Sequence, residues 1–328
     1  MNVGIVGAGS ISDTHARAAQ AAGLTVVAVT GANADKIRAL ADRYGAVPCP
    51  SLDELLRVGV DLVLIGSPSG RHAEEATAAV RAGCHVLVEK PLDITSSRID
   101  ALVADVDRAG VRLGVFYQDR LKPDVVALKR RLDAGELGTL VLVTAEVKWS
   151  RPPEYYAGSR WRGTWALDGG GALMNQGIHT VDLLCWLLGR PVRVAGVMAT
   201  RVHRIEAEDT AMALIDFERG VSATLVATTA ASQGQPRRIE VVGSLGTASL
   251  DGDSLRRPDA AAAAPLENTA SPVVSDATAH QRIIEDFVRA IETGTAPVCD
   301  GREGRRSVAL VEAVYQASRT RTVVTLIE

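Results

Sequence analysis

The chain opens NVGIVGAGSIS at residues 2–12, and the reading of that stretch decides the fold. Residues 2–6 are a short apolar run, rich in Val and Ile and without alternation, as expected of a strand buried on both faces. Gly7, Ala8 and Gly9 break the run, and 10–22 has the pattern of a helix closed by Gly23. Two glycines at that point allow a tight turn and let the backbone approach a pyrophosphate. The helix N-terminus behind them, at Ser10 and Ile11, offers N–H groups and the positive end of its dipole. Ser12 stands where a third glycine is usual in such turns. The alternation continues with strands at 25–29, 62–65, 85–89 and 112–116, and helices at 34–44 (Asn33 as N-cap), 52–57, 72–82 and 96–109. This predicts an α/β Rossmann domain, a doubly wound parallel sheet, over residues 1–119.

The pattern changes after residue 120. A helix at 123–134 precedes longer strands at 139–148, 192–201, 209–217, 221–229, 238–243 and 247–250, several of them alternating and joined in pairs by Gly-containing turns. Residues 120–328 are therefore expected to form a substrate-binding and oligomerisation domain, α+β, with a large, mainly antiparallel open sheet. Residues 251–278 read as a surface excursion with little regular structure. Helices at 280–292 and 303–318 and a strand at 323–327 close the chain.

Composition narrows the function. The chain has 328 residues, 47% hydrophobic and 23% charged, which suits two domains with large cores. A net charge of −3 without a basic block argues against nucleic acid and anionic membranes as partners. Cys49, Cys84, Cys185 and Cys299 are scattered and form no CxxC, so neither a disulfide framework nor a zinc site is expected. No apolar run reaches the ~18 residues of a membrane span, and a cytoplasmic protein without a metal is expected.

Three features carry chemistry. The second strand ends Thr30-Gly31-Ala32-Asn33, with no Asp or Glu until Asp35, where an acidic residue would hold the adenine ribose. Thr30, Asn33, Lys36 and Arg38 then suit a 2′-phosphate, which favours NADP(H) over NAD(H); the same Lys36 and Arg38 equally read as solvated helix residues. Lys90 follows the strand 85–88 within Glu89-Lys90-Pro91, at the carboxyl end of a parallel strand where ligands bind. Fixed there, it can donate to a substrate hydroxyl and favour an alkoxide as hydride leaves; alternatively it is a surface lysine. Finally, the apolar helix after Gly169-Gly170-Gly171 carries Asn175, His179 and Asp182 at i, i+4 and i+7, which predicts one polar face. His179 suits proton transfer, Asp182 would orient its ring, and the glycines permit close approach of a ligand or backbone. A satisfied structural network is the other reading.

Taken together, GAGSIS with His15, GCHVLVEKPL at 83–92, GGGALMNQGIHTVDLLCWLLG from Gly169, VGSLGT at 242–247 and Asp286-Phe287 resemble the glucose–fructose oxidoreductase/inositol dehydrogenase/MocA family over the whole chain. The resemblance implies hydride transfer between a nicotinamide and a secondary alcohol or ketone of a sugar, polyol or derivative, with Lys90 and His179 catalytic. It also implies a homodimer or homotetramer formed through the second domain's sheet. Asn175 stands where inositol dehydrogenase-like members often carry Asp, so inositol specificity does not follow. The dinucleotide set is then Gly7, Gly9, Ser10, Ile11, Ser12, Thr30, Gly31, Asn33, Lys36, Ser67, Pro68, His72, Glu89, Lys90 and Gln118. The substrate set is Lys90, Tyr156, Trp161, Arg162, Asn175 and His179. The stretch from Trp149 to Trp165, with Arg151, Arg160 and Arg162, serves either an anionic substrate or a subunit contact. Two other functions fit the same fold: an NAD-dependent glycoside hydrolase and a non-catalytic dinucleotide-binding regulator.

Overall fold

The structure is a computed structural model that describes residues 1–256 and 277–326. The chain divides into two compact units, Met1–Gln118 with Val273–Arg305, and Asp119–Pro272 with Arg306–Glu328. Residues up to 305 near the C-terminus thus join the first unit, whereas the sequence pattern placed everything after 119 in the second. Helical periodicity reports a buried face but not which sheet that face meets.

In the first unit, strands β1 (Asn2–Val6), β2 (Thr25–Thr30), β3 (Val47–Pro48), β4 (Leu62–Ile65), β5 (His85–Val88) and β6 (Leu113–Val115) form one parallel sheet in the order β3-β2-β1-β4-β5-β6. Helices α1 (Ser10–Ala21), α2 (Ala34–Tyr44), α3 (Leu52–Arg57), α4 (His72–Arg81) and α5 (Ser96–Ala109) connect the strands. β4 is buried at every position, as a central strand covered on both faces must be. The order reverses at β1, and ligands in such sheets bind at the carboxyl ends of the strands flanking that point.

The second unit contains α6 (Pro123–Asp133), β7 (Leu140–Lys148), the short helix α7 (Pro153–Ala157), α8 (Ile178–Leu188), β8 (Pro191–Ala199), β9 (Thr210–Phe217), β10 (Ser222–Thr228), β11 (Arg238–Gly243), β12 (Gly246–Asp251) and β13 (Ser254–Arg256). Helix α9 (Thr278–Thr293) belongs to the first unit; α10 (Gly301–Thr320) belongs to the second from Arg306 onward and leads to β14 (Val324–Thr325). The eight strands run β13-β12-β11-β7-β10-β9-β8-β14, antiparallel except for the β7–β10 pair. β13 corrects the expectation of little regular structure after residue 250 at that edge; the rest of that excursion, 257–276, lies outside the described residues, as do 327 and 328 of the last expected strand. One face of the sheet packs on the segment Ala172–Gly177 and on α6. The other leaves Val197, Met212 and Leu214 exposed, and Val197 and Met212 are directly paired across β8 and β9.

Candidate functional site

In the first unit the β1–α1 turn needs glycine for two different reasons. Gly7 has φ +113°, and a Cβ there would stand 2.7 Å from the Gly66 carbonyl, so backbone crosses backbone. Gly9 begins α1 in an extended conformation, and a Cβ there would meet nothing within 4 Å. That open space, next to exposed Ser10 and partly exposed Ile11 and to the N–H groups of a helix without a side-chain cap, suits a pyrophosphate. Ser12 is fully buried in the place of the third glycine, its hydroxyl oxygen 3.1 Å from the point a Cβ on Gly7 would occupy, on the inner side of the turn. At the end of β2 Thr30 is buried as well, and a Cβ on Gly31 would lie 3.2 Å from the Ala8 nitrogen. Asn33 caps α2 by accepting from the Lys36 backbone N–H at 3.0 Å, as expected. Arg38 is engaged with Asp35 at 2.8 Å, while the Lys36 side chain is exposed.

Three residues read for the dinucleotide, His72, Ser67 and Glu89, have internal partners instead. His72 is buried with Nδ1 2.8 Å from the Pro91 carbonyl and Nε2 2.9 Å from the Ser67 carbonyl, so it ties those loops together and has no nitrogen left for a ligand. Ser67 itself donates to Glu75. The Glu89 carboxylate lies 3.0 Å from His15 Nε2 and 3.2 Å from His280 Nε2, and its other oxygen accepts the Lys90 N–H at 3.1 Å. Burial works to raise the Glu89 pKa, but the two imidazoles hold it well below the usual range. His15 stacks on Phe116, with ring centroids 4.5 Å apart. These ligand types could hold a metal; their spacing is that of hydrogen bonds. Their visible effect is to fix the backbone of Lys90, which follows β5 half-exposed and joins Pro91 through a cis peptide. Pro68 and Gln118 are also partly exposed at strand ends.

In the second unit the expected continuous helix is corrected. Ala172–Gly177 is a π-helical segment, and α8 starts only at Ile178. The wider π turn breaks the i, i+4, i+7 geometry, and the three polar residues serve three partners. Asn175 Nδ2 donates to Asp168 at 2.6 Å. Asp182 receives Arg120 Nε at 2.8 Å and Nη2 at 2.6 Å, both residues being 1% exposed. His179 Nδ1 lies 4.0 Å from Asp119. Asp119 is thus a carboxylate that faces the imidazole, while both Asp182 oxygens accept from Arg120. Burial works to raise the Asp119 pKa, but Arg237, His179 and Lys122 keep it far below the carboxylate range. His179 thus stands at ion-pair distance from an ionised carboxylate, a setting in which an imidazole can exchange a proton with a ligand. Within the triple glycine, Gly171 makes room for backbone and Gly170 for the Tyr315 side chain: a Cβ on Gly171 would lie 1.8 Å from the Glu208 carbonyl oxygen, and one on Gly170 2.1 Å from the Tyr315 hydroxyl.

The unit also has a cavity of about 920 Å³, lined by Arg151, Tyr156, Arg162, His203 and Arg204 among others, with neither Asn175 nor His179 in its lining. Arg162 and Arg151 lie 4.4 and 4.8 Å from the Tyr155 ring centroid, and the Tyr155 hydroxyl accepts from Gln176, the neighbour of Asn175, at 3.0 Å. Tyr156 and Arg162 line the cavity; Trp161 packs on Arg162 at 5.3 Å. Tyr156 spends its hydroxyl on Thr229 at 2.9 Å, and burial pushes its pKa up to about 12. Sequence reasoning missed Asp119, Asp168 and Glu208; only Asp119-Arg120, adjacent charged residues a few positions after a buried strand, left a readable signal.

Comparison with known proteins agrees with this division. Residues 1–117 match the model of the oxidoreductase family with an NAD-binding Rossmann fold, and 125–249 match the GFO/IDH/MocA C-terminal domain. Inositol 2-dehydrogenase 1 of Saccharopolyspora erythraea is 30% identical over 99% of this chain and 96% of its own, and inositol 2-dehydrogenase of Rhizobium meliloti is 28% identical over 96% of each. The WlbA dehydrogenase of Bordetella pertussis, solved with NADH and UDP-GlcNAcA, superposes with a TM-score of 0.89 and 32% identity, over 100% of this chain and 99% of that one. The chain belongs to the GFO/IDH/MocA family of oxidoreductases with an NAD-binding Rossmann fold, and the curated relatives it matches are dehydrogenases acting on CH–OH groups.

Proposed function

We propose that Lys90 and His179 are the catalytic residues of a dehydrogenase for an anionic sugar derivative, a uronate or nucleotide sugar. The observation that carries the reading is the setting of His179, whose ring faces a carboxylate that Arg237 and Lys122 keep ionised. His179 takes the hydroxyl proton in oxidation and returns it in reduction, and Asp119 stabilises the imidazolium. Lys90, its backbone fixed through Glu89, donates a hydrogen bond to the reacting oxygen and favours its alkoxide. The dinucleotide, held by Gly7, Gly9 and the start of α1, supplies the hydride acceptor. Asn175 binds substrate as donor and acceptor, while Asp182 has a structural role.

The arginine-lined cavity supports the anionic class, since guanidinium groups on aromatic faces pair with carboxylate or phosphate oxygens. UDP-GlcNAcA, the ligand of the Bordetella pertussis relative, carries such groups. NADP(H) is the preferred cofactor: no carboxylate stands at 30–34 to repel a 2′-phosphate, and Lys36 is exposed nearby. The open apolar face around Val197, Met212 and Leu214 is the surface for a homo-oligomer. No helix among the described residues is long and apolar enough to cross a membrane, and a cytoplasmic location fits four buried cysteines scattered along the sequence without a CxxC.

The test is a substrate screen followed at the nicotinamide absorbance. Uronates and nucleotide sugars are expected to outrun neutral inositols in kcat/KM, and Lys90→Ala should abolish turnover while dinucleotide affinity persists. Wild-type turnover by that variant, or a preference for neutral polyols, would overturn the proposal.

A further inference from the structure

The residue that governs the start of the π segment is one the catalytic account has not used. Glu208 is 2% exposed and stands just before β9. Its Oε2 accepts the Gly171 N–H at 2.9 Å; its Oε1 accepts the Leu173 N–H at 2.8 Å and the Tyr315 hydroxyl at 2.9 Å. Its own backbone carbonyl takes the Ala172 N–H at 2.9 Å. Three successive N–H groups at a helix start, which have no partner within the helix, therefore all end on one residue. Gly171 is glycine because that carbonyl lies where a Cβ would be. The segment fixed in this way carries Asn175 and leads directly into His179.

We propose that Glu208 is a positioning residue for His179 and Asn175: ionised, it clamps the entry of the π segment, and taking up one proton from solvent loosens the presentation of both side chains. This rests on the reading of His179 and Asn175 as active-site residues. A protonated carboxyl turns one of its oxygens into a donor, so it can no longer receive every one of these groups. Burial pushes the Glu208 pKa up to about 7, against the lowering by the Leu173 N–H, the Tyr315 hydroxyl and the Gly171 N–H. Tyr315 faces it from α10, with a pKa raised well above its ordinary value by its own burial and by Glu208. Asp168, whose charge also acts on Tyr315, and Asp209, whose carboxylate is turned to the Arg201, Val202 and His203 N–H groups, are the neighbouring acids.

Hydrogen exchange of the peptide spanning 171–177, corrected for intrinsic rates, and steady-state kinetics would be followed from pH 5.5 to 8.5 in wild type, Tyr315→Phe and Glu208→Gln. In wild type, protection and kcat should fall together as pH drops through about 7, with dinucleotide affinity unchanged. Tyr315→Phe removes a donor that favours the carboxylate, so both inflections should move up by about 0.5–1 pH unit. Glu208→Gln points an amide N–H at Gly171, and should give low protection without an inflection and a kcat lowered about tenfold or more. Protection that stays flat with pH in wild type, or an unmoved inflection in Tyr315→Phe, overturns the proposal. The second criterion holds even if Glu208→Gln does not fold. Full turnover by His179→Ala would instead sink the catalytic reading, and the exchange data would still decide whether Glu208 clamps the segment.

Discussion

Asp182→Asn separates two roles that the sequence left open. The substitution keeps the shape of the side chain and removes its charge from a pair in which both partners are 1% exposed. Arg120 Nε and Nη2 donate to the two carboxylate oxygens at 2.8 and 2.6 Å, and Ser307 Oγ adds a third bond at 3.2 Å. Asparagine keeps only one acceptor oxygen and turns an N–H toward a guanidinium N–H, leaving a cation in a medium that screens poorly. Breaking a buried pair from one side costs about 3–5 kcal/mol. At about 2–4 °C per kcal/mol for a unit of this size, the thermal midpoint should fall by roughly 10 °C. Calorimetry and urea unfolding measure this directly. The companion variant Arg120→Met/Asp182→Leu replaces both charges by apolar groups and should recover most of the loss, since a buried pair is often matched in stability by apolar side chains of similar volume. It should also retain wild-type kcat. The opposite pattern, normal unfolding of Asp182→Asn with kcat reduced by orders of magnitude, would mean that Asp182 acts on His179 after all and that the ion pair is incidental.

Gly171→Ala and Gly9→Ala should differ sharply. The first places a Cβ 1.8 Å from a backbone oxygen that cannot yield, and should lower stability by about 3 kcal/mol or more in urea unfolding; the second enters open space, and should leave unfolding unchanged while weakening dinucleotide binding measured by fluorescence. Glu208 gives a stability signature of definite sign. Its folded pKa of about 7 lies above the ordinary 4.5, so the native state keeps a proton that the unfolded chain loses, and its stabilisation is full below pH 4.5 and fades as pH rises to 7. Relative to Glu208→Gln, wild type should lose about 3 kcal/mol across that window; a difference that grows with pH would contradict the assignment. In fluorescence titrations NADPH should bind more tightly than NADH, and the reverse order would remove the cofactor preference.

The first sheet was legible because its strands are buried on both faces and its turns are punctuated by glycine. β4 and β5 carry unbroken apolar runs, and Gly45 and Gly110 end α2 and α5 in left-handed conformation. The hairpins of the second sheet were legible from alternation, as in β9, where buried and exposed positions alternate along most of the strand. What periodicity does not carry is long-range assignment. Phe287 packs where Gly114 leaves room for it, 2.7 Å from the point a Cβ would occupy. That contact draws α9 back to the first sheet, and nothing local in the sequence announces it.

The polar residues of the candidate site were legible in the sequence, and their angles were not. Placing Asn175, His179 and Asp182 on one face assumes 100° per residue from 171 onward, and Ala172–Gly177 does not turn at that rate. The cause lies far along the chain: a Glu208 that gathers the N–H groups of Gly171, Ala172 and Leu173 dictates how the segment begins. The same remoteness hides Asp119, whose place beside His179 comes from a turn about sixty residues earlier. Local periodicity finds the residues able to do chemistry, because an apolar helix tolerates so few polar ones. The partners that decide what each one does come from other elements. Asp182 shows the consequence: by spacing it was the natural partner of His179, and by structure it neutralises a buried arginine. A polar triad on a helix therefore marks a candidate site, and the division of labour proposed for it follows only from the groups that face it.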